Sequence, residues 1–537
     1  MGEEVSHRLA RTLLLALAVL SNSAGAVSAA EFYVAPAGGS DSNAGSIGAP
    51  FASFTKAISS ATPGDTIFAR GGTYNLSSKL QITKSGTSTN PLHLVAFPGE
   101  TPILDFTGQA DADANRGVEL SSSADYWHIK GLTIQHAGDN GFNSSGDHGV
   151  FEQIVTRFNR DSGFQFGSSA SYNLSLNCDS YGNYDPQKRG EDADGFAVKS
   201  ATIGPGNVFK GNRAFDNSDD GWDMFGSRAN GVLIMNSWAF DNGLDPGGTG
   251  AFQGDGNGIK LGHDSGSHIL ANVLAVSNPT NGIDINGNGY IYDANSNPTV
   301  PNGSLVQMYN STAYKNGNAN VYYDESLPHT LRNNISLSGG RADNFASMLV
   351  SDHNTWNGAA FAVSGADFAS LDLGDGAAQQ IAQVLRGSRQ ADGSLPDIGG
   401  FLKLIVGSNL VDAGTPVSFT FGGVTYNLAY SGSAPDLGAF EFIAAVPVLA
   451  GDFNGDHVVD AADYVVWRKN DGTNNALQND SGLGTPVGQA HYALWRSTFG
   501  SSSLGSGSAL DGNAAIPEPA SHLLALLAAL VPCLRRR

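Results

Sequence analysis

The segment Ser218-Asp-Asp-Gly-Trp-Asp-Met-Phe225 places Asp219, Asp220 and Asp223 within five residues of one another. Carboxylates this close repel, and each raises its neighbours' pKa unless a cation lies between them. Hard oxygen donors with no His or Cys among them select Ca2+ over transition metals. Taken alone, Asp-Asp-Gly is also an ordinary solvated turn whose side chains bond local backbone. The choice depends on what stacks against it.

A repeat supplies the neighbours. The pattern polar-Gly-apolar-X-apolar recurs at Asn140-Gly-Phe-Asn143, Ser162-Gly-Phe-Gln-Phe166, Asp194-Gly-Phe-Ala-Val198, Asp220-Gly-Trp-Asp-Met224, Asn257-Gly-Ile-Lys-Leu261 and Asn281-Gly-Ile-Asp-Ile285. Its glycines are 22 to 37 residues apart, a solenoid spacing once loop insertions are allowed. Each unit carries an earlier short strand, such as 208–215, 232–240 or 268–276, with no helical periodicity between. An all-β parallel β-helix is therefore expected. A β-propeller or sandwich is the runner-up, but it needs steadier repeats closed by two-residue hairpins.

Strand alternation turns the repeat into columns. Phe142, Phe164, Phe196, Trp222, Ile259 and Ile283 point inward, and Asn143, Gln165, Ala197, Asp223, Lys260 and Asp284 point outward. In the preceding turn, Asp194 stacks on Asp220, so Asp194, Asp219, Asp220 and Asp223 converge across two coils as a Ca2+ site. Gly221 lets the chain bend. Lys260 follows one rung later, either as counter-ion to the cluster or as a base whose ammonium form a nearby dication disfavours. Gly- and Pro-rich insertions at 182–192 and 244–255 are expected to wall a cleft. Lys188, Arg189, Lys199 and Arg228 are candidates to bind substrate carboxylates.

Composition agrees with an exported β-protein. The 537 residues include 69 Gly, only 15% are charged, and the net charge of -21 argues against a nucleic-acid partner. It also repels an acidic polymer unless a metal or a local basic groove intervenes. Cys178 and Cys533 provide no disulfide framework. Residues 1–30, with His7, Arg8 and Arg11 before the apolar run 13–20 and the small residues AVSAA, read as a signal peptide. The tail 516–537, IPEPASHLLALLAALVPCLRRR, resembles the Pro-Glu-Pro C-terminal sorting signals of exopolysaccharide-producing bacteria. That resemblance implies export, transient membrane association and an extracellular or cell-envelope location.

Between these ends, 31–445 forms the β-helix domain, 446–500 a small α-helical module and 501–515 a Gly/Ser linker. Asp452, Asn454, Asp456, Asp460 and Asp463 occupy positions one, three, five, nine and twelve of an EF-hand-like loop. With DYVVWRKN echoed by HYALWRST, the module resembles a dockerin, which implies one Ca2+ and a cohesin-like partner.

The blocks GEDADGFAVK, GNVFKGNRAFDNSDDGWDMF and GNGIKLG, flanked by FYVAPAGGSDSNAG and APDLGAFEF, resemble polysaccharide lyase family nine over roughly 31–442. The resemblance implies a right-handed parallel β-helix and a Ca2+-dependent pectate lyase acting on acidic pectic polysaccharide by β-elimination. It further implies Asp194, Asp219, Asp220 and Asp223 as calcium ligands and Lys260 as the Brønsted base. The alternatives are a lyase on another acidic chain such as rhamnogalacturonan, and a non-catalytic carbohydrate-binding β-helix. A two-carboxylate hydrolase leaves no task for Lys260.

Overall fold

Period-two alternation over runs of three or four residues cannot bury a face alone, so the strands must stack. The computed structural model describes residues 29–502, apart from 228–229, 247, 249–250, 262–265, 286–304, 324–327, 346–349, 375–379 and 444–447. Among the described residues the chain winds through three parallel sheets of 12, 9 and 10 strands, each strand pairing with those one coil before and after it. This is the expected β-helix. A separate hairpin, Ser418–Phe421 with Val424–Asn427, is antiparallel. Of the expected signal peptide at 1–30, residues 1–28 lie outside the described residues, as do the expected Gly/Ser linker from 503 onward and the sorting signal at 516–537 with Cys533. Among the described residues no helix is long and apolar enough to cross a membrane.

The nine-stranded sheet has the register that the repeat predicts. Phe196 pairs with Phe164 and Trp222, Trp222 with Ile259, and Ile259 with Ile283. Asp223 therefore lies between Ala197 and Lys260, and Lys260 beside Asp284. Inside, Phe142 stacks on Phe164 at 4.7 Å and Phe196 on Trp222 at 4.9 Å between centroids. Phe164 also touches Phe151, Phe166, Phe196 and Phe209. Phe164→Ala should destabilise the β-helix by about 3–5 kcal/mol, because stacked rungs on both sides prevent collapse of the cavity. Urea unfolding checks this; a loss below about 1 kcal/mol contradicts it.

The recurring glycine has a different cause from the one expected. Gly221 is not in the left-handed region; a Cβ there would lie 2.4 Å from the Gly258 carbonyl oxygen and 2.8 Å from Asn242 Nδ2. Close approach of successive turns excludes a side chain, whatever the bend needs. Those turns are pinned by a buried ladder in which each Asn Nδ2 donates to the next Oδ1, from Asn183 through Asn217, Asn242 and Asn278 to Asn316. The ladder satisfies polar groups where the chain leaves the ten-stranded sheet for the nine-stranded one.

The ten-stranded sheet is covered by the later chain. Arg386 reaches Asp216 at 2.6 Å and Asp241 at 2.5 Å, over the stacked rings of Phe215 and Phe240. Cys178 is buried and unbridged.

Two compact units part between Phe442 and Ile443. In the second, the helices Ala461–Asn470 and Gln489–Thr498 enclose Phe453, Trp467, Leu477 and Val487. Asp460 caps the first helix by accepting from Ala462 N at 2.7 Å.

Candidate functional site

Three strands of two residues each, Phe196–Ala197, Trp222–Asp223 and Ile259–Lys260, form the floor of the site. Both inserted segments enter from the ladder side, immediately before Asp194 and Lys260. Asp223 points outward yet is buried, as is Asn143 three rungs before it.

The four predicted carboxylates come together, arranged as two groups. Asp194, Asp220 and Asp223 present oxygens that all lie within 4.8 Å of one another, and so do Asp219, Asp220 and Asp255. Asp220 belongs to both. Its Oδ1 accepts from Asn257 N at 2.7 Å and Asn257 Nδ2 at 3.0 Å. Its Oδ2 is buried and accepts no well-aligned hydrogen bond, with the Lys260 ammonium 3.2 Å away. Asp219 has a positioning task too: it accepts from Asp192 N at 2.8 Å and Asp255 N at 2.7 Å, tying both wall segments together.

Two lysines enter the cluster. Lys199 Nζ lies 2.8 Å from Asp194, 3.2 Å from Asp223 and 3.4 Å from Asp192. Lys260 Nζ lies 2.6 Å from Asp255 as well as 3.2 Å from Asp220. Burial holds Asp194 and Asp220 well above the ordinary carboxylate range, helped at Asp220 by Asp219, and pushes Asp219 up to about 6. Burial acts to lower Lys260, but Asp220, Asp223 and Asp255 outweigh it and raise its pKa. The metal-free arrangement thus keeps Lys260 protonated.

The donor chemistry fits a hard dication. Six carboxylates, counting Asp192 and Asp255, face the ammoniums of Lys199 and Lys260, and one buried oxygen of Asp220 lacks a hydrogen bond. Among the described residues no His or Cys joins either group.

Beside the cluster opens a groove of about 400 Å³ lined by Arg116, Lys188 and Lys199, by Asp113, Asp139, Asp161 and Asp192, and by Asn140 and Gln165. Lys188 is paired with Asp192 at 2.7 Å. Lys199 lies closer to the acidic cluster than a surface cation would. Arg189 is exposed and outside this lining, and Arg228 lies outside the described residues.

In the second unit Asp452 accepts from the backbone of Gly455, Asp456 and His457, and Asp463 from that of Asn454 and Asp460. Asn454 Nδ2 donates to Asp456 at 2.7 Å. These side chains organise the loop, and among the described residues they form no three-carboxylate group like those of the β-helix.

Sequence reasoning missed Asp192, Asp255 and Arg116. The two aspartates sit in insertions that carry no repeat register. Arg116 was within reach: Arg116-Gly-Val-Glu-Leu120 has the polar-Gly-apolar-X-apolar pattern one unit earlier, and Val118 pairs with Phe142.

Fold and site together define a parallel β-helix protein with a lysine-bearing acidic cleft on one sheet. The chain belongs to the Pel9A-like right-handed β-helix family, the family-nine polysaccharide lyases that its motifs resemble; the model described as "Pel9A-like, right handed beta helix region" matches residues 32–334. Pectate lyase L of Dickeya chrysanthemi is 37% identical over 423 residues, covering 76% of this chain and 90% of the relative. The crystal structure of pectate lyase Pel9A superposes with a TM-score of 0.65 at 35% identity, covering 78% of this chain and 97% of that one. A rhamnogalacturonan lyase structure gives 0.56 at 26%, covering 70% and 96%.

Proposed function

We propose that this chain is a secreted, Ca2+-dependent pectate lyase that cleaves polygalacturonate by β-elimination. The observation that carries the reading is Asp220: one buried oxygen lacking a hydrogen bond, shared between two carboxylate groups and 3.2 Å from Lys260. The identity to pectate lyase L supports polygalacturonate as substrate. Rhamnogalacturonan is the second reading, supported by the more distant structural likeness.

Asp194, Asp219, Asp220 and Asp223 would hold the cation, with Asp255 adjoining. Bound there, Ca2+ supplies positive charge to the uronate carboxylate and stabilises the negative charge that develops as the carbon-5 proton leaves. A dication held by Asp220 and Asp223 would engage two of the carboxylates that keep Lys260 protonated, leaving Asp255 2.6 Å from its nitrogen, and burial favours its neutral amine. Lys260 takes the carbon-5 proton; the C–H electron pair becomes the C4–C5 double bond. The C4–O pair departs with the glycosidic oxygen, which takes a proton from water. Asn257 orients Asp220, and Asp219 holds the walls. Lys188, Arg189, Lys199 and Arg228 are assigned to uronate carboxylates.

Purified protein incubated with polygalacturonate should raise the ultraviolet absorbance of unsaturated product, stop with chelator and resume on Ca2+ addition. Wild-type protein that binds Ca2+ and polysaccharide without forming product would instead be a carbohydrate-binding β-helix. A panel with rhamnogalacturonan and esterified pectin resolves the substrate.

Acid should weaken cation binding. Asp219 titrates near 6 and Asp194 and Asp220 are raised, so below that pH protons occupy the oxygens a cation needs. Ca2+ affinity should fall as pH drops through about 6, with protons released from these carboxylates on binding; calorimetry in two buffers reads both, and a pH-independent affinity contradicts it. Melting temperature is a poorer readout. Buried His268, lowered to about 3, contributes stability that is lost as pH falls below the unfolded imidazole value of about 6.5.

Export is inferred from the leader and the Pro-Glu-Pro tail. The EF-hand-like loop is assigned a Ca2+ on its spacing, with a cohesin-like partner for its module.

A further inference from the structure

The turn column that carries the acidic site continues away from it toward the chain's N-terminal coils. Backbone hydrogen bonds link it rung by rung: Gly195 N donates to Asp220 O, Gly163 N to Asp194 O, Gly141 N to Ser162 O, and Gly117 N to Asn140 O. Arg116 therefore occupies the position of Asp194 three rungs earlier, about 14 Å away at the usual strand spacing. Both ends open onto one groove: Arg116 lines it at one side and Lys199, in contact with Asp194 and Asp223, at the other, with Gln165 between.

The guanidinium of Arg116 is held but not used up. Nη1 donates to Glu119 and Nε to Asn140 Oδ1 at 3.3 Å, with Asp139 at 3.5 Å. Nη2 makes no hydrogen bond among the described residues, and the side chain is 29% exposed. Glu119 is also bound by Lys79 at 2.5 Å, so it does not depend on Arg116 for its counter-charge. A fixed guanidinium fork with an unused edge is suited to a carboxylate. Asp113, Asp139, Asp161 and Asp192 line the same groove, so a polyanion can lie there only where Arg116, Lys188 and Lys199 offset its repulsion.

We propose that Arg116 forms a distal subsite that binds the carboxylate of a uronate residue several sugars from the scissile bond, so that the polysaccharide runs along the groove toward the N-terminal coils. This rests on the pectate lyase reading. In an extended polyuronide each ring carries one carboxylate, and Lys260 lies two rungs beyond Asp194, so the path from Arg116 to Lys260 crosses five rungs, about 24 Å at the usual strand spacing, longer than three pyranose rings. Trigalacturonate held at Lys260 is too short to engage Arg116 fully, whereas hexagalacturonate reaches it.

The test compares wild type, Arg116→Ala and Arg116→Lys on tri- and hexagalacturonate with Ca2+, by turnover and by calorimetric binding. Arg116→Ala should raise KM and Kd for hexagalacturonate roughly 5- to 10-fold, leave kcat and the trimer values unchanged, and be partly rescued by Arg116→Lys. Equal losses on both lengths would indicate a structural role and overturn the subsite, as would unchanged hexamer binding in a variant of a wild type that cleaves. If wild type binds hexagalacturonate without cleaving it, the lyase reading falls, and the length-dependent loss of binding still decides the subsite. If wild type neither binds nor cleaves either oligomer, both fall.

Discussion

Lys260→Ala should lower unsaturated-product formation on polygalacturonate by about 10³-fold or more while leaving the β-helix intact, because a positioned general base contributes about 10²–10⁴. The side chain reaches the site from a two-residue strand whose other residue, Ile259, is the one in the core, so truncation removes chemistry without opening a cavity. Lys260→Arg distinguishes a base from a charge. Arginine keeps the cation but does not deprotonate in proteins, so it should be as inactive as alanine if Lys260 takes the proton. An arginine variant with near wild-type turnover would assign the residue to electrostatics alone. Ca2+ should bind Lys260→Ala at least as tightly as wild type, since the ammonium 3.2 Å from Asp220 competes with a cation for that carboxylate.

Asp220→Asn should cost about 100-fold or more in Ca2+ affinity and a comparable loss of turnover at low Ca2+. Loss of a residue outside the ligand shell already costs about 10–100-fold in metal sites, and Asp220 is shared by both carboxylate groups. Asparagine is the informative replacement because its carbonyl can still accept from Asn257, which keeps the turn in place. Ca2+ at 100 times the wild-type Kd should stabilise wild type by about 2.7 kcal/mol and the variant far less. Thermal melts with Ca2+ and with chelator read the difference. The metal-free variant should be no less stable than metal-free wild type, since the substitution removes a buried charge that burial and Asp219 both disfavour. A variant that binds Ca2+ normally would remove Asp220 from the ligand set.

Much of the fold was legible because a solenoid repeats its local rules. Glycine, then an aromatic or aliphatic, then an outward residue, then another apolar one, fixes both register and facing within each rung; the observed pairing of Asp223 with Ala197 and Lys260 follows from that alone. Translation from rung to rung carried the same reading to Asp194 above Asp220. The reason assigned to Gly221 was less secure, because the crowding that excludes a Cβ comes from Gly258 and Asn242 in other coils.

What escaped the sequence lies where the repeat is interrupted. Asp192 and Asp255 belong to insertions with no periodicity, and only the folded chain shows Asp219 joining them through their backbone amides. Lys199 reads as a candidate for substrate carboxylates, yet it lies 2.8 Å from Asp194 and 3.2 Å from Asp223, a pairing across coils that its place in the sequence does not encode. By itself the sequence determined the β-helix, the facing of each rung and the convergence of four carboxylates beside Lys260, since these depend on alternation and stacking between neighbouring coils. Only the tertiary structure decided how that charge is distributed, with Asp220 shared and one of its oxygens lacking a hydrogen bond, Lys199 and Lys260 drawn in and Arg116 on the groove lining. Side-chain pairing across coils depends on distances that no local pattern encodes.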